Sequence, residues 1–127
     1  MNTPQFDHEK LRAYQEALKF AAWVEPIIEL LPHKLAARDQ LDRASTSIVL
    51  NIAEGNGKFT EKDRCRYFDT AHGSALECAA GLDVLVAKKK ATSSETFAGK
   101  ERLHKIVQML IGLIKRNSSR EYARTDS

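Results

Sequence analysis

Apolar residues recur every three or four positions in four stretches of the chain, which is the spacing of one face of an α-helix. The stretches cover about residues 7–32, 35–55, 60–90 and 92–115. The connections between them are short, and short connections place consecutive helices antiparallel to each other. The pattern therefore predicts an all-α fold, namely an antiparallel up-down-up-down four-helix bundle.

The first stretch carries signals for both of its ends. Asp7 is expected to cap the helix, with Phe6 packing on Leu11 as a hydrophobic staple. Pro26 lacks a backbone donor and crowds the preceding turn, so the helix should kink there or end early, before Pro32 closes it.

The third and fourth helices each begin at a threonine followed three residues later by an acid. Thr60 with Asp63 and Thr92 with Glu95 both resemble a capping box. Helix starts are therefore predicted directly after Thr60 and Thr92.

The third helix has the most regular apolar seam of the chain. Six residues alternate steps of three and four: Phe68, Ala71, Ala75, Cys78, Leu82 and Leu85. Most of them are small, and Gly73 and Gly81 are expected to let a neighbouring helix approach closely. Cys65 and Cys78 lie too far apart on one helix to form a disulfide, and both are expected to be small core residues.

The first and second helices carry apolar residues on more than the single face that a four-helix core can bury. Trp23, Val49 and Leu50 are the expected surplus. Because contact with another subunit would cover these side chains, the chain is predicted to form a homo-oligomer.

Polar residues follow the apolar seams of helices two and three at steps of four, four and three. The two rows are Arg43, Ser47, Asn51 and Glu54, and Arg66, Thr70, Ser74 and Glu77. Antiparallel pairing around the turn near 57–58 would bring Arg43 close to Asp69 and Thr70, and Arg38 close to Glu77. A buried hydrogen-bonded network that sets the helix register is the expected role. An active site or ligand site along this row is the alternative.

The length of 127 residues and the 43% hydrophobic content suit one domain, predicted to span residues 1–116 with a disordered polar tail over residues 117–127. The net charge is +3, but it is unevenly distributed. Residues 58–127 hold 14 of the 20 basic side chains and 9 of the 17 acidic ones. The positive excess therefore lies in the second half of the chain.

The basic residues of this half form two groups, which are the candidate nucleic-acid-binding residues. One group lies at the start of helix three and the other at its end: Lys58, Lys62, Arg64 and Arg66, then Lys88, Lys89 and Lys90. A solvated face interspersed with Glu61 and Asp63 is the alternative for one monomer, since a charge of +3 is small. In a ring of identical subunits each group would recur and its field would multiply.

Enzymatic chemistry finds little support in the sequence. Asp69-x-x-His72 approaches half of the paired Glu-x-x-His motifs of di-iron bundles, but no second motif matches it. Gly55-Asn56-Gly57-Lys58 lacks the spacing of a phosphate-binding loop. We therefore expect no enzyme activity, no cofactor and no metal.

The cellular context follows from what the sequence lacks. The N-terminal residues carry no basic region followed by an apolar run, and no apolar stretch approaches the roughly 18–20 residues that span a bilayer. A cytoplasmic protein without membrane contact is expected.

Two linked runs suggest a family. They read Gln40-Leu41, Arg43-Ala44, Ser47-Ile48 and Asn51-Ile52-Ala53-Glu54-Gly55, followed by Ala71-x-Gly73-Ser74-x-x-Glu77. This combination resembles the signature of the bacterial four-helix bundle proteins encoded in intervening sequences of large-subunit ribosomal RNA genes. The same family includes the accessory variability determinant protein of diversity-generating retroelements.

The resemblance implies a four-helix monomer, often assembled as a homopentameric ring, without known catalytic activity. In the retroelement branch such a ring binds nucleic acid and a partner reverse transcriptase. The motif residues are interpreted as structural: Arg43, Ser47, Asn51, Glu54, Gly73, Ser74 and Glu77. Binding of RNA or DNA as an accessory or scaffold is the resulting hypothesis, and a structural or protein-binding oligomer with no nucleic-acid role is the alternative.

Overall fold

Four α-helices account for most of residues 5–118, the part of the chain that the computed structural model describes. They are α1 (Arg12–Leu30), α2 (Ala36–Gly57), α3 (Glu61–Ala87) and α4 (Ser93–Arg116), and a short 3-10 helix (Asp7–Lys10) precedes them. Each helix packs against its neighbours in chain order, and α4 closes the bundle against α1. The predicted four-helix bundle is confirmed. The predicted tail lies outside the described residues from position 119 onwards.

The core runs along the inner faces of all four helices. Every residue of the predicted α3 seam, from Phe68 to Leu85, is buried. Phe20 of α1, Ile48 of α2 and Ile106 of α4 are fully buried opposite this seam. Since the positions on α2, α3 and α4 repeat every three or four residues, the spacing in the sequence was sufficient to identify them.

Both predicted threonine caps are present. The Thr60 hydroxyl accepts from the backbone N–H of Asp63 at 3.1 Å. Thr92 accepts from the N–H of Glu95 at 3.1 Å, and the Glu95 carboxylate accepts from the N–H of Thr92 at 2.7 Å. These contacts satisfy amides that lack a partner within the helix.

The first helix begins later than predicted. Leu11 is extended, with φ −75° and ψ 130°, and it separates the 3-10 helix from α1. Phe6 stacks on His8, with ring centroids 5.8 Å apart, instead of packing on Leu11, and Asp7 accepts a hydrogen bond from Asn56 at 2.9 Å instead of capping α1. The predicted staple and cap are wrong because contacts within the 3-10 helix and with α2 replace them.

The first helix also continues through Pro26 to Leu30. The prediction that it ends early is wrong. Proline removes only the donor to the carbonyl of Ala22, and both residues are exposed, so water can satisfy that carbonyl.

Close packing between α2 and α3 is set by two glycines. A Cβ atom on Gly81 would lie 3.0 Å from the Leu41 side chain, and one on Gly55 would lie 2.7 Å from the Phe68 ring. The prediction for Gly81 is confirmed. That for Gly73 is wrong, because Gly73 lies on the exposed side of α3 and a Cβ there would meet nothing within 4 Å.

The apolar residues that the monomer leaves exposed differ in part from those predicted. Val49 is buried, so its assignment to the surplus is wrong: the α1-facing side of α2 is covered within the monomer. Trp23 is half-buried and its indole ring packs directly on Gly99. Leu50 is 57% exposed, as expected, and Leu76 and Val84 of α3 are exposed as well.

Candidate functional site

The polar rows of α2 and α3 meet at a pair of serines. The hydroxyls of Ser47 and Ser74 are 2.8 Å apart, and Asn51 donates to the carbonyl of Ser47 at 2.9 Å and to its hydroxyl at 3.0 Å. Ser74 is buried, while Ser47 and Asn51 are half-buried. The row therefore contributes a small polar contact between the helices.

The pairing register of these helices differs from the expected one. Arg43 lies beside Glu77, and the two residues share a groove of about 330 Å³ with Ser47 and Ser74. The prediction that Arg43 neighbours Asp69 and Thr70 is therefore wrong. The offset is decided by the close contacts of Gly81 and Gly55, which the spacing of polar residues does not reveal.

Two further expectations about the rows are corrected. Arg38 does not reach Glu77, because its Nε donates to the carbonyl of Ile28 at 3.2 Å. The expected buried network does not extend to the charged residues. The Arg43 side chain is 77% exposed and pairs with Asp39 at 3.4 Å, and Glu54 and Glu77 are exposed.

Two of the four cations at the start of α3 are paired with neighbouring acids. Lys58 lies 3.8 Å from Glu54, and Arg66 lies 3.8 Å from Asp63. Both cations also lie near the Tyr67 ring, at 5.0 Å and 5.2 Å from its centroid. These contacts reduce the positive potential that the group presents to a ligand.

Arg64 points into the end of the bundle. Its guanidinium donates to the carbonyls of Asn56 at 2.9 Å and Lys58 at 3.1 Å, and to the side chain of Asn117 at 3.0 Å. It thereby joins the C-terminal ends of α2 and α4. The geometry indicates a structural role for this predicted site residue.

Lys62 lines a groove of about 930 Å³ together with Arg66. Three carboxylates share the groove, from Glu61, Asp63 and Asp69. Acids outnumber bases in the lining, so the groove is a poor site for an anion.

The second basic group forms the turn between α3 and α4. Lys88, Lys89 and Lys90 are all exposed, and none forms an ion pair within residues 5–118. Lys89 has a φ of 60°, and the N–H groups of Lys89 and Lys90 donate to the carbonyls of Val86 at 3.0 Å and Leu85 at 2.8 Å. This is the Schellman arrangement that ends a helix. The turn displays three unpaired cations on a well-defined backbone.

Another set of cations was not predicted from the sequence. Lys10, Arg12 and Arg116 line a groove of about 370 Å³ between the start of α1 and the end of α4. They are distant in sequence, and only the closure of α4 against α1 brings them together. Charge clustering along the chain could not identify this set.

Both cysteines are core residues, as the sequence predicted. Cys65 and Cys78 are buried and unbridged, and burial, with a smaller contribution from Glu77, raises the pKa of Cys78 to about 12. A thiol with such a pKa is a poor nucleophile. Among residues 5–118, no three His, Cys, Asp or Glu side chains are grouped to hold a metal ion.

None of the four helices in the described part of the chain has an apolar run long enough to cross a membrane.

Both a family model and a solved structure are similar to the chain. A family model described as 23S rRNA-intervening sequence protein matches residues 9–112. The fold is similar to that of a protein of unknown function from the S23 ribosomal protein family of Bacteroides thetaiotaomicron, with a TM-score of 0.76 and 23% identity over 81% of this chain and 98% of that chain. At this identity the structural likeness concerns the fold alone. No curated protein matches the chain.

Proposed function

Because the chain belongs to the 23S rRNA-intervening sequence protein family, we propose that it is a non-enzymatic protein that binds nucleic acid as an accessory or scaffold. In this proposal it acts as a homo-oligomer, with a ring of five subunits as the expected form. Partnership with a reverse transcriptase remains a prediction from the family resemblance.

The observation that carries the proposal is the lysine turn, which we define as Lys88, Lys89 and Lys90. Its three cations have no acidic partner within residues 5–118, whereas two of the four cations at the start of α3 are paired and Arg64 is engaged with backbone carbonyls. Unpaired lysines on an exposed turn can contact phosphates and release their counterions. In a ring the turn recurs once per subunit and gives a multivalent surface.

The test removes the charge of the lysine turn without disturbing its backbone. The variant combines Lys88→Gln, Lys89→Gly and Lys90→Gln, because glycine suits the positive φ at position 89. The matched control combines Lys58→Gln, Lys62→Gln and Arg66→Gln, which removes the same charge from the start of α3. Binding of labelled single-stranded RNA and duplex DNA is measured by fluorescence anisotropy over a range of salt concentrations.

We expect the lysine-turn variant to lose most of its affinity and to show a shallower dependence of log K on log salt. The control should lose less, since two of its cations lie beside acids that lower the local positive potential. Circular dichroism verifies that both variants are folded. Equal binding by the lysine-turn variant and the parent, or no binding by the parent at low salt, would contradict the proposal.

Oligomerisation is supported by apolar side chains that the monomer leaves exposed. Leu50 is 57% exposed, Leu76 is 51% exposed and Val84 is 39% exposed. Light scattering after size exclusion measures the mass directly. A mass near 14.3 kDa over a wide concentration range would contradict this part of the proposal.

A structural or protein-binding oligomer with no nucleic-acid role is the second candidate. It is favoured by the outer side of α3, where Gly73, Ala80, Val84 and Ala87 are exposed at helical spacing in place of the usual charged residues. Association through such a face should depend little on salt, whereas phosphate binding should weaken steeply with it. Stable oligomers together with no measurable binding to either nucleic acid would support this candidate.

A further inference from the structure

The groove between the start of α1 and the end of α4 combines a basic rim with an apolar floor. We propose that it binds a nucleoside phosphate, with Lys10, Arg12 and Arg116 around the phosphate and the nucleoside against the floor. The proposal goes beyond the one for the lysine turn, since it concerns a different surface and does not require a polynucleotide.

The rim is basic because no acid lines it. Lys10, Arg12 and Arg116 are exposed, and within residues 5–118 none of them forms an ion pair. Both arginines can present two N–H groups to one phosphate, the geometry that makes arginine suited to phosphate recognition. Gln108, also in the lining, adds an amide.

Further along the same pair of helices the charges are neutralised. Glu16 of α1 lies 2.8 Å from Arg102 of α4 and 3.4 Å from Lys19. Despite opposing desolvation, these two cations lower the pKa of Glu16 below its ordinary value. Arg102 and Lys19 are therefore paired with an acid, in contrast to the three cations of the groove.

The floor offers apolar surface and free space for a nucleoside. Leu11, Met109 and Leu113 line it, together with Ala13. A Cβ atom on Gly112 would meet nothing within 4 Å, so the groove remains open beside this glycine. A phosphate alone would not need such a floor, whereas the ring of a base can pack on it.

The positive charge of Arg12 does not stabilise α1. It is the first residue of α1, whose first turn holds no acid and whose N-cap makes no side-chain hydrogen bond. A cation there opposes the partial positive charge at the helix N-terminus. Arg12→Glu should therefore stabilise α1 while reversing the charge at the rim, so that a loss of binding cannot be attributed to unfolding.

Met109 provides a direct probe of the groove. The chain has two methionines, Met1 and Met109, so the spectrum of methyl-labelled protein contains two methionine signals. A nucleoside diphosphate, a short single-stranded RNA and pyrophosphate are titrated separately, and the Met109 signal is followed. The variants are Arg12→Glu, Gly112→Leu, which fills the floor without changing charge, and Lys34→Glu, an exposed charge-matched control at the opposite end of the bundle.

We expect the diphosphate or the RNA to shift the Met109 signal with saturation. Arg12→Glu should weaken this binding by about tenfold or more, and Lys34→Glu should leave it unchanged. Gly112→Leu should weaken nucleotide binding but not pyrophosphate binding. Saturation by the diphosphate would show that the groove binds free nucleotides. Saturation by the RNA alone would show that the nucleoside phosphate it binds is part of a polynucleotide.

Two results would overturn the proposal. One is the absence of a saturable shift with either nucleotide probe, and the other is equal binding of pyrophosphate and the nucleotides with no effect of Gly112→Leu. Because the variants of the lysine turn leave this groove intact, failure here is distinguishable from failure of the proposed function.

Discussion

The hydroxyl groups of Ser47 on α2 and Ser74 on α3 form a hydrogen bond of 2.8 Å across the helix pair with the most extensive contact in the bundle. Either oxygen can be the donor, and Asn51 donates a further hydrogen bond to Ser47 at 3.0 Å. The contact holds two small side chains where larger ones would separate the helices. It therefore couples the polar row to the register of α2 and α3.

Removing one of the two serine hydroxyls should lower the free energy of unfolding by more than half as much as removing both. Ser47→Ala leaves the buried Ser74 hydroxyl with one partner fewer, and Ser74→Ala does the same to the half-buried Ser47 hydroxyl. Each variant is expected to lower the free energy of unfolding by about 1 kcal/mol. The double variant should be less destabilised than the sum of the two. Urea unfolding of the parent and the three variants measures this coupling. Strict additivity would show that the hydrogen bond contributes nothing.

Gly99→Ala should destabilise the protein, because the added methyl group would collide with the indole ring of Trp23. Overpacking of this kind costs about 1–3 kcal/mol. Gly73→Ala is the matched control, since a Cβ there meets open space, and it should stabilise α3 by about 0.5–1 kcal/mol. Trp23 is the single tryptophan of the chain, so its fluorescence should change in the first variant and not in the second.

Lys89→Gly should raise the free energy of unfolding by about 1 kcal/mol. Lys89 has a φ of 60°, a conformation in which a Cβ atom is unfavourable and glycine is not. Lys88→Gly is the control, because Lys88 has a φ of −89° and gains nothing from glycine. Thermal unfolding of both variants tests the prediction, and equal effects would contradict it.

Alkaline pH should weaken the fold partly through Cys78. Burial raises the pKa of this thiol from 9.0 to about 12, so below pH 9 the thiol is protonated in both states. Between these values the unfolded chain loses the proton while the folded protein keeps it, and stability falls as the pH rises. The free energy of unfolding of Cys78→Ala should therefore decline less steeply over this range. Parallel declines in urea unfolding experiments at several pH values would contradict this explanation.

Helix positions and the core could be predicted because their signals are local. The Thr60 and Thr92 caps depend on residues within three positions, and the buried seam from Phe68 to Leu85 depends on spacing along one helix. The pairing of Lys58 with Glu54 was also accessible, because residues four apart share a helix face.

The position of α2 along α3 could not be predicted in the same way. The place of Arg43 beside Glu77 depends on how deeply Leu41 packs against Gly81, a contact between distant residues. Likewise Val49 appeared surplus in the sequence, yet the monomer buries it.

The sequence by itself determined four amphipathic helices, the Thr60 and Thr92 caps, the buried seam and the exposed lysine turn, since each depends on neighbours within one or two helical turns. Only the tertiary structure decided the offset of α2 against α3 and the meeting of Lys10, Arg12 and Arg116 in one groove. The physical reason is that packing between helices depends on side-chain shapes across an interface. Local periodicity shows which face of each helix is buried, but not how far one helix is displaced along its neighbour.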